Sequence, residues 1–280
     1  MSAPRLLRRP ATGLLVMMVV VVVVTVGMLG AAVVRGVAGR PGTGTARPLL
    51  AEAFTRPDGL ITNEHAWWSP SDPAAAVSAT WRVTSGSLFA DDSSAWTGIP
   101  DDRQPDTGSG HGTGSAVFRL VTRRTDLGDV QVSLRLRNLG LASTPRTPPA
   151  AWDGVHLFLR YQSQYHLYYA SVNRRDETVL VKKKCPGGSE NGGTYHLLGS
   201  PVGGQSVPFG AWQRLAASVR TNLDGSVSID IRRDGVVIAA VRDRGLGCAP
   251  IRQPGAVGLR GDNDQFRFDD FTVTSAAAGS

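Results

Sequence analysis

The sequence predicts an all-β fold, an antiparallel β-sandwich preceded by one N-terminal transmembrane helix. Three observations predict it. Apolar residues recur at every second position in many short stretches after residue 50. No amphipathic helix longer than a turn or two interrupts them, and an uncharged apolar run lies near the N-terminus. The chain divides accordingly into a basic segment 1–12, an anchor or signal sequence 13–34, a Gly/Pro/Arg-rich linker 35–51, the sandwich 52–274 and a tail 275–280.

Arg5, Arg8 and Arg9 precede the apolar run from Gly13 to Val34. As a helix at about 1.5 Å per residue it would extend about 33 Å, enough for a hydrocarbon core of about 30 Å. A signal peptide has the same charged start with a shorter core, and Gly36 and Ala38 are small enough for a cleavage site. The run is read as a membrane anchor if it stays and as a secretion signal if it is removed, and the content of the following domain favours a place outside the cytoplasm. Arginines lie on both flanks, with Arg35, Arg40 and Arg47 after the run, so a positive-charge count alone does not orient it.

The formal charge of +7 comes from 30 Lys and Arg against 23 Asp and Glu. Six of the arginines lie before residue 51, where no acid occurs, and the 24 remaining basic residues meet 23 acidic ones. The domain itself is nearly neutral, which excludes the general basic footprint of a nucleic-acid binder. The two cysteines, Cys185 and Cys248, form an even pair in an exported domain and read as a disulfide.

Ala79–Phe89 reads as a strand, a Ser-Gly turn and a short strand. Ser115–Arg123 and Val130–Leu136 alternate well, with Asp126–Asp129 turning between them. Val130, Val132, Leu134 and Leu136 are expected inward, and Gln131, Ser133, Arg135 and Arg137 outward. Trp212–Arg220 and Val227–Arg232 form a hairpin around Asn222–Gly225, and Arg233–Gly235 turns into Val236–Val241. Ala256–Arg260 and Phe266–Val273 close the domain, with Asp262-Asn263-Asp264 as a hairpin turn.

The stretch WDGVHLFLRYQSQYHLYYASVNRRDETVLVKKK, from Trp152 to Lys184, reads as three antiparallel strands. Pairing Gln162 with Tyr165 puts Val155, Leu157, Leu159 and Tyr161 on one face with Tyr168, Ala170 and Val172. The other face then carries His156, Phe158 and Arg160 beside Tyr165, Leu167 and Tyr169, with Lys182 and Lys184 on the third strand. The first face is core. The second mixes rings and cations, so His156, Arg160, Tyr165, Tyr169 and Lys182 are the candidate ligand-binding residues, expected to form one solvent-facing patch.

WDGVHLFLRYQ, YHLYYASV, WQRLAASVRTNLDGSVSIDIRRDG and GAVGLRGDNDQFRFDDFTV, in that order, resemble the concanavalin A-like lectin/glucanase superfamily, most nearly its laminin G-like and 3-keto-disaccharide hydrolase-like branches. The resemblance covers roughly residues 52–274 and implies a concanavalin A-like jelly roll. It also implies carbohydrate as partner, since the superfamily includes binding modules, glycoside hydrolases, polysaccharide lyases and adhesive modules. A structural Ca2+ tying the terminal strands is a further implication, with Asp58 and Asp270 (or Asp269) as ligands.

The family-16 glycosidase strand Glu-x-Asp-x-Glu is missing. The four glutamates, Glu52, Glu64, Glu177 and Glu190, do not form it, and Asp230 stands without it in SIDIRR. No residues are therefore assigned as catalytic. A lyase would use Tyr or His as base and Arg against a uronate, and a binding module would use the same side chains to cover and hydrogen-bond a sugar. Trp81 is expected in the core, and one of Trp67 and Trp68 at the surface. Residues 189–196 read as a Gly-rich loop beside the recognition face. Three functions remain open: an extracellular glycan-binding module, a hydrolase or lyase with a noncanonical site, and a non-catalytic cell-envelope module.

Overall fold

A computed structural model describes residues 47–102, 116–190 and 192–276. The apolar run 13–34 lies outside them. Among the described residues no helix is long and apolar enough to cross a membrane.

The described strands are β1 (Leu50–Glu52), β2 (Gly59–Asn63), β3 (Trp81–Ser85), β4 (Ser87–Asp91), β5 (Ser94–Trp96), β6 (Val117–Thr122), β7 (Val130–Leu141), β8 (Gly154–Ser163), β9 (His166–Arg174), β10 (Val179–Pro186), β11 (Gly193–Val202), β12 (Gln213–Thr221), β13 (Val227–Arg233), β14 (Val236–Asp243), β15 (Ala256–Asp262) and β16 (Asp264–Ser275), with one helical turn, α1 (His65–Trp68), after β2. The first strand starts at Leu50, inside the stretch read as linker. A nine-stranded sheet has the order β14-β13-β12-β7-β16-β5-β4-β2, with β1 also on β16. A seven-stranded sheet has the order β11-β10-β9-β8-β15-β6-β3. All pairings between these strands are antiparallel.

The two sheets enclose one hydrophobic core, as period-2 alternation demands of facing sheets. Strand β7 alternates as expected: Val130, Val132, Leu134 and Leu136 are buried in the core, while Gln131, Ser133, Arg135 and Arg137 are not. Trp81 lies fully in the core, edge-on to Phe271. The β12–β13 hairpin forms around Asn222–Gly225, and Arg233–Gly235 leads into β14. Cys185 and Cys248 are joined by a disulfide that links residues 63 apart.

Three connections expected to be local turns instead carry the chain between sheets. Gly86, with φ of 81°, separates β3 in the smaller sheet from β4 in the larger. Strands β6 and β7 divide in the same way, and so do β15 and β16. Asp262-Asn263-Asp264 is therefore a sheet-to-sheet corner and not a hairpin turn. Asn263 takes φ of 46°, a left-handed conformation that Asn tolerates better than most residues. All three residues are buried.

The FDDF stretch is a β-bulge. The β7–β16 register shifts between Asp269 and Thr272, and Asp270 has φ of 49°. The extra residue lets Phe268 and Phe271, three apart, both enter the core.

Candidate functional site

The candidate site is the face of the seven-stranded sheet turned away from the core. Cross-strand register assembles it from distant segments. One row runs Arg119–Arg260–His156–Ser171–Leu180, and the next runs Arg82–Val121–Gly258–Phe158–Tyr169–Lys182. A small apolar cluster of Val121, Phe158, Tyr161, Leu167, Tyr169 and Ala256 floors this face, with Tyr195 packed against it.

The pairing of Phe158 with Tyr169, Leu159 with Tyr168 and Leu157 with Ala170 is the register expected from the sequence. It fails at the strand end, where Ser163 pairs with His166 and Gln162 does not pair with Tyr165. Arg160 has φ of 46°, and the bulge it forms inverts the alternation after it. Tyr161 consequently joins the outer cluster. Arg160 is wholly buried, pairing with Asp129 and donating to the Ile251 carbonyl at 2.6 Å and the Thr221 hydroxyl at 2.9 Å. Arg160 is thus a structural tie and not a member of the face.

The other candidates are brought together less openly than expected. His156 and Tyr169 stack with ring centroids 4.4 Å apart, yet both are buried, Tyr169 at 6% exposure. Lys182 lies opposite Tyr169 and 5.4 Å from the Tyr195 ring centroid. Tyr165, 40% exposed, stands at one end of the face.

At the centre sits Asp262, which the sequence did not single out. Arg260 donates to its two oxygens from Nε at 2.9 and 2.8 Å and from Nη2 at 2.7 Å. Tyr169 Oη donates at 3.2 Å, and His156 Nε2 lies 3.2 Å away. Burial would raise the Asp262 pKa, but Arg260 and His156 outweigh it and hold the carboxyl well below its usual range. Burial lowers His156, against the pull of Asp262. Burial, reinforced by the Asp262 charge, pushes the Tyr169 phenol well up. At neutral pH the centre therefore holds a carboxylate–guanidinium pair, a neutral imidazole and a neutral phenol.

Clefts open toward each end. One, of about 320 Å3, is lined by Trp67, Trp68, Arg82, Arg119, Tyr161 and Tyr165, among others. Because Trp67 and Trp68 lie on a helical turn and not on a strand, both reach it, at 45% and 40% exposure. The Arg82 guanidinium sits 4.6 Å from the Trp67 ring centroid. The second cleft, about 350 Å3, lies between Arg260–Asp262 and the loop carrying Arg146, Pro149, Trp152 and Asp153. Trp152 is 57% exposed there.

Ser171 Oγ lies 2.9 Å from His156 Nδ1, so Ser171, His156 and Asp262 form a hydroxyl–imidazole–carboxylate chain. Ser171 and His156 are fully buried, so this hydroxyl has no access to a substrate carbonyl; the chain holds adjacent strands together. Tyr169, with its raised pKa, is a poor base for a lyase. Asp153 and Asp262 line one cleft, but each faces an arginine, Asp153 meeting Arg175 Nε at 3.0 Å.

The expected calcium ligands do not converge. Asp58 accepts from the Asp92 amide at 3.1 Å, and Asp270 pairs with Arg135 Nε at 2.9 Å, while Arg135 Nη2 binds Asp269. The FDDF acids are neutralised by an arginine on the adjacent strand. Among the described residues no group of three or more His, Cys, Asp or Glu is placed to hold a metal ion.

No family model and no curated protein matches this chain. Solved structures do. The chain is similar to carbohydrate-binding module CBM66 from Bacillus subtilis, with 12% identity, a TM-score of 0.48, and coverage of 70% of this chain and 95% of that one. It is similar to a Bacillus subtilis protein of unknown function with a galectin-like fold, with 15% identity, a TM-score of 0.49, and coverage of 70% and 89%. It is also similar to the catalytic domain of an endo-1,3-beta-glucanase (laminarinase) from Thermotoga petrophila, with 11% identity, a TM-score of 0.47, and coverage of 81% and 96%.

Proposed function

We propose that the domain is a glycan-binding module and that the outer face of the seven-stranded sheet is its binding surface. The observation that carries the reading is the cleft at Trp67 and Trp68. It gathers exposed indole and phenol rings around guanidinium and side-chain amide groups, Arg82, Arg119, Gln162 and Gln164 among them. Rings cover the C–H faces of sugars while such donors take hydroxyls, the division of labour a sugar site needs. The second cleft, with exposed Trp152, repeats it at the far side of Arg260.

The reading includes a place outside the cytoplasm, with residues 13–34 as membrane anchor. It is supported by the length of that apolar run and by the Cys185–Cys248 disulfide, which suits an oxidising compartment. N-terminal sequencing of mature protein beginning just after Ala38 would replace the anchor with secretion.

A glycan array probed with the full chain tests the binding. Trp67→Ala and Trp68→Ala should each weaken a hit. Removing about 40–60 Å2 of ring contact costs roughly 1–1.5 kcal/mol, or about tenfold in affinity. Unchanged affinity in both variants would remove this cleft from the reading. New reducing ends or unsaturated products would move the protein to the enzymes, with Asp153 and Asp262 as the carboxylates to examine. Silence across diverse glycans would leave a structural module.

A further inference from the structure

The outer face carries more positive charge than it neutralises. Arg119 and Arg260 are direct cross-strand partners on β6 and β15, an arrangement that like charges disfavour. Lys182 and Lys184 project from β10 toward the same face, both over the Tyr195 ring, and Arg82 lies over Trp67. Asp262 is engaged by Arg260. Among the described residues no carboxylate comes within ion-pair distance of Arg82, Arg119, Lys182 or Lys184; Arg119 has a long hydrogen bond to Gln164 at 3.4 Å. Glu190, whose charge acts on both lysines, accepts from the Tyr195 amide at 3.0 Å.

This crowding has a physical cost. Burial lowers the Arg119 pKa, and the Arg260 charge adds to it. Burial, then Arg260 and Arg119, brings the Lys184 ammonium down to about 8. Arg119 and Arg260 face each other across adjacent strands, and an anion bound between them would relieve that repulsion. The rings around it are those of the proposed sugar site.

Resting on the glycan-binding reading, we infer that the preferred ligand is an acidic glycan, whose uronate carboxylates or ester sulfates meet the row Arg119–Arg260 and the neighbouring Lys184. Arg260 is fixed by its two-oxygen grip on Asp262, while the part-exposed Arg119 remains to donate a charge-assisted hydrogen bond and Lys184, 3% exposed, adds its charge. The rings set the sugar backbone, and the cations select its charge.

The test is calorimetric titration of the full chain in a neutral detergent with polygalacturonate, alginate and chondroitin sulfate. Each is compared with its carboxyl-reduced form, and chondroitin sulfate also with its desulfated form. Neutral glucans and poly-L-glutamate complete the panel. The acidic polymers should bind about tenfold or more tighter than their neutralised forms. Loss of that preference on carboxyl reduction identifies uronate, and on desulfation, sulfate. Arg119→Gln should lower affinity for the acidic forms more than for the neutralised forms and so shrink the preference; Lys184→Gln is the second variant, each checked by thermal unfolding. Equal affinity for acidic and neutralised forms overturns this inference and leaves glycan binding standing. Binding of neutral glucans alone does the same. Silence across the panel overturns both. Poly-L-glutamate binding as tightly as the uronates shows indiscriminate charge exchange and overturns the inference. So does an acidic preference unchanged in both variants.

Discussion

Asp262→Asn is the perturbation that tests the centre of the face. The change keeps the side chain's shape but removes its charge. One oxygen that accepts from Arg260 becomes an amide group that donates toward it, and Tyr169 and His156 lose an ionic partner. Removing one member of a buried pair costs about 3–5 kcal/mol because the other charge stays desolvated. Arg260 retains 20% side-chain exposure, so water relieves part of this and a loss of about 3 kcal/mol is expected. For a domain of this size that is a fall in Tm of about 6–12 °C.

Circular dichroism melts at neutral and acid pH provide the assay. The folded-state pKa of Asp262 is depressed, so its contribution is fully present above the unfolded value near 3.9 and fades as pH falls below it. The gap between wild type and variant should therefore be widest at pH 7 and should narrow below about pH 4. Asp126→Asn, which breaks an exposed pair with Arg124, is the control, and should leave the melt little changed. A gap no larger than that of the control at pH 7 would refute the reasoning. So would a gap that stays constant into acid.

The remaining predictions follow from other parts of the molecule. Arg160→Ala should destabilise the domain by about 2–4 kcal/mol, leaving the Ile251 carbonyl without its donor and Asp129 without its cation, yet leave glycan affinity unchanged; melts and titration of the same variant separate the two. Peptide mapping without reductant should recover Cys185 linked to Cys248, and reduction should cost about 4 kcal/mol for a loop of 63 residues in the chain-entropy model. Affinity for an acidic glycan should fall as pH rises through about 8, because Lys184 loses its proton there beside Arg260, Arg119, Tyr195 and Glu190. The expected limit is about tenfold per pH unit, and Lys184→Gln should flatten that slope.

Much of the sandwich was legible because alternation reports one face of a strand directly. Val130 to Leu136 needed nothing more, and the β8–β9 register was fixed by the same apolar set. Where alternation breaks, legibility ended. Arg160 and Asp270 each occupy a left-handed backbone position, and each shifts the pattern by one residue. That single step took Arg160 out of the site, brought Tyr161 in, and made the FDDF acids an arginine-bound bulge. Tyr169 was placed on the correct face but not at the correct depth. Tyr195 and Phe158 cover it, so Tyr169→Ala would affect packing as well as any ligand. Turn residues were equally ambiguous: Asp-Asn-Asp suits a hairpin and a corner alike, and only the choice of sheet by each flanking strand distinguishes them.

That corner explains why the missed carboxylate is central. Asp262 ends β15, and the left-handed Asn263 beside it uses its own side chain to donate to the Thr147 carbonyl at 3.0 Å. The Ala142 amide returns a bond to the Asn263 carbonyl at 2.7 Å. The loop bearing Trp152 is thereby pinned to the strand that bears Arg260 and Asp262. Asp264 begins β16 on the other side of the corner and accepts from Asn138, which accepts from Asn173, linking the two sheets at the same end. Burial pushes the Asp264 carboxyl well up, against the Asn138 hydrogen bond that pulls it down. Ring, cation and carboxylate around the second cleft are thus set by one short turn of backbone. A ligand meeting them finds donors already oriented, which spares much of the side-chain ordering cost of binding.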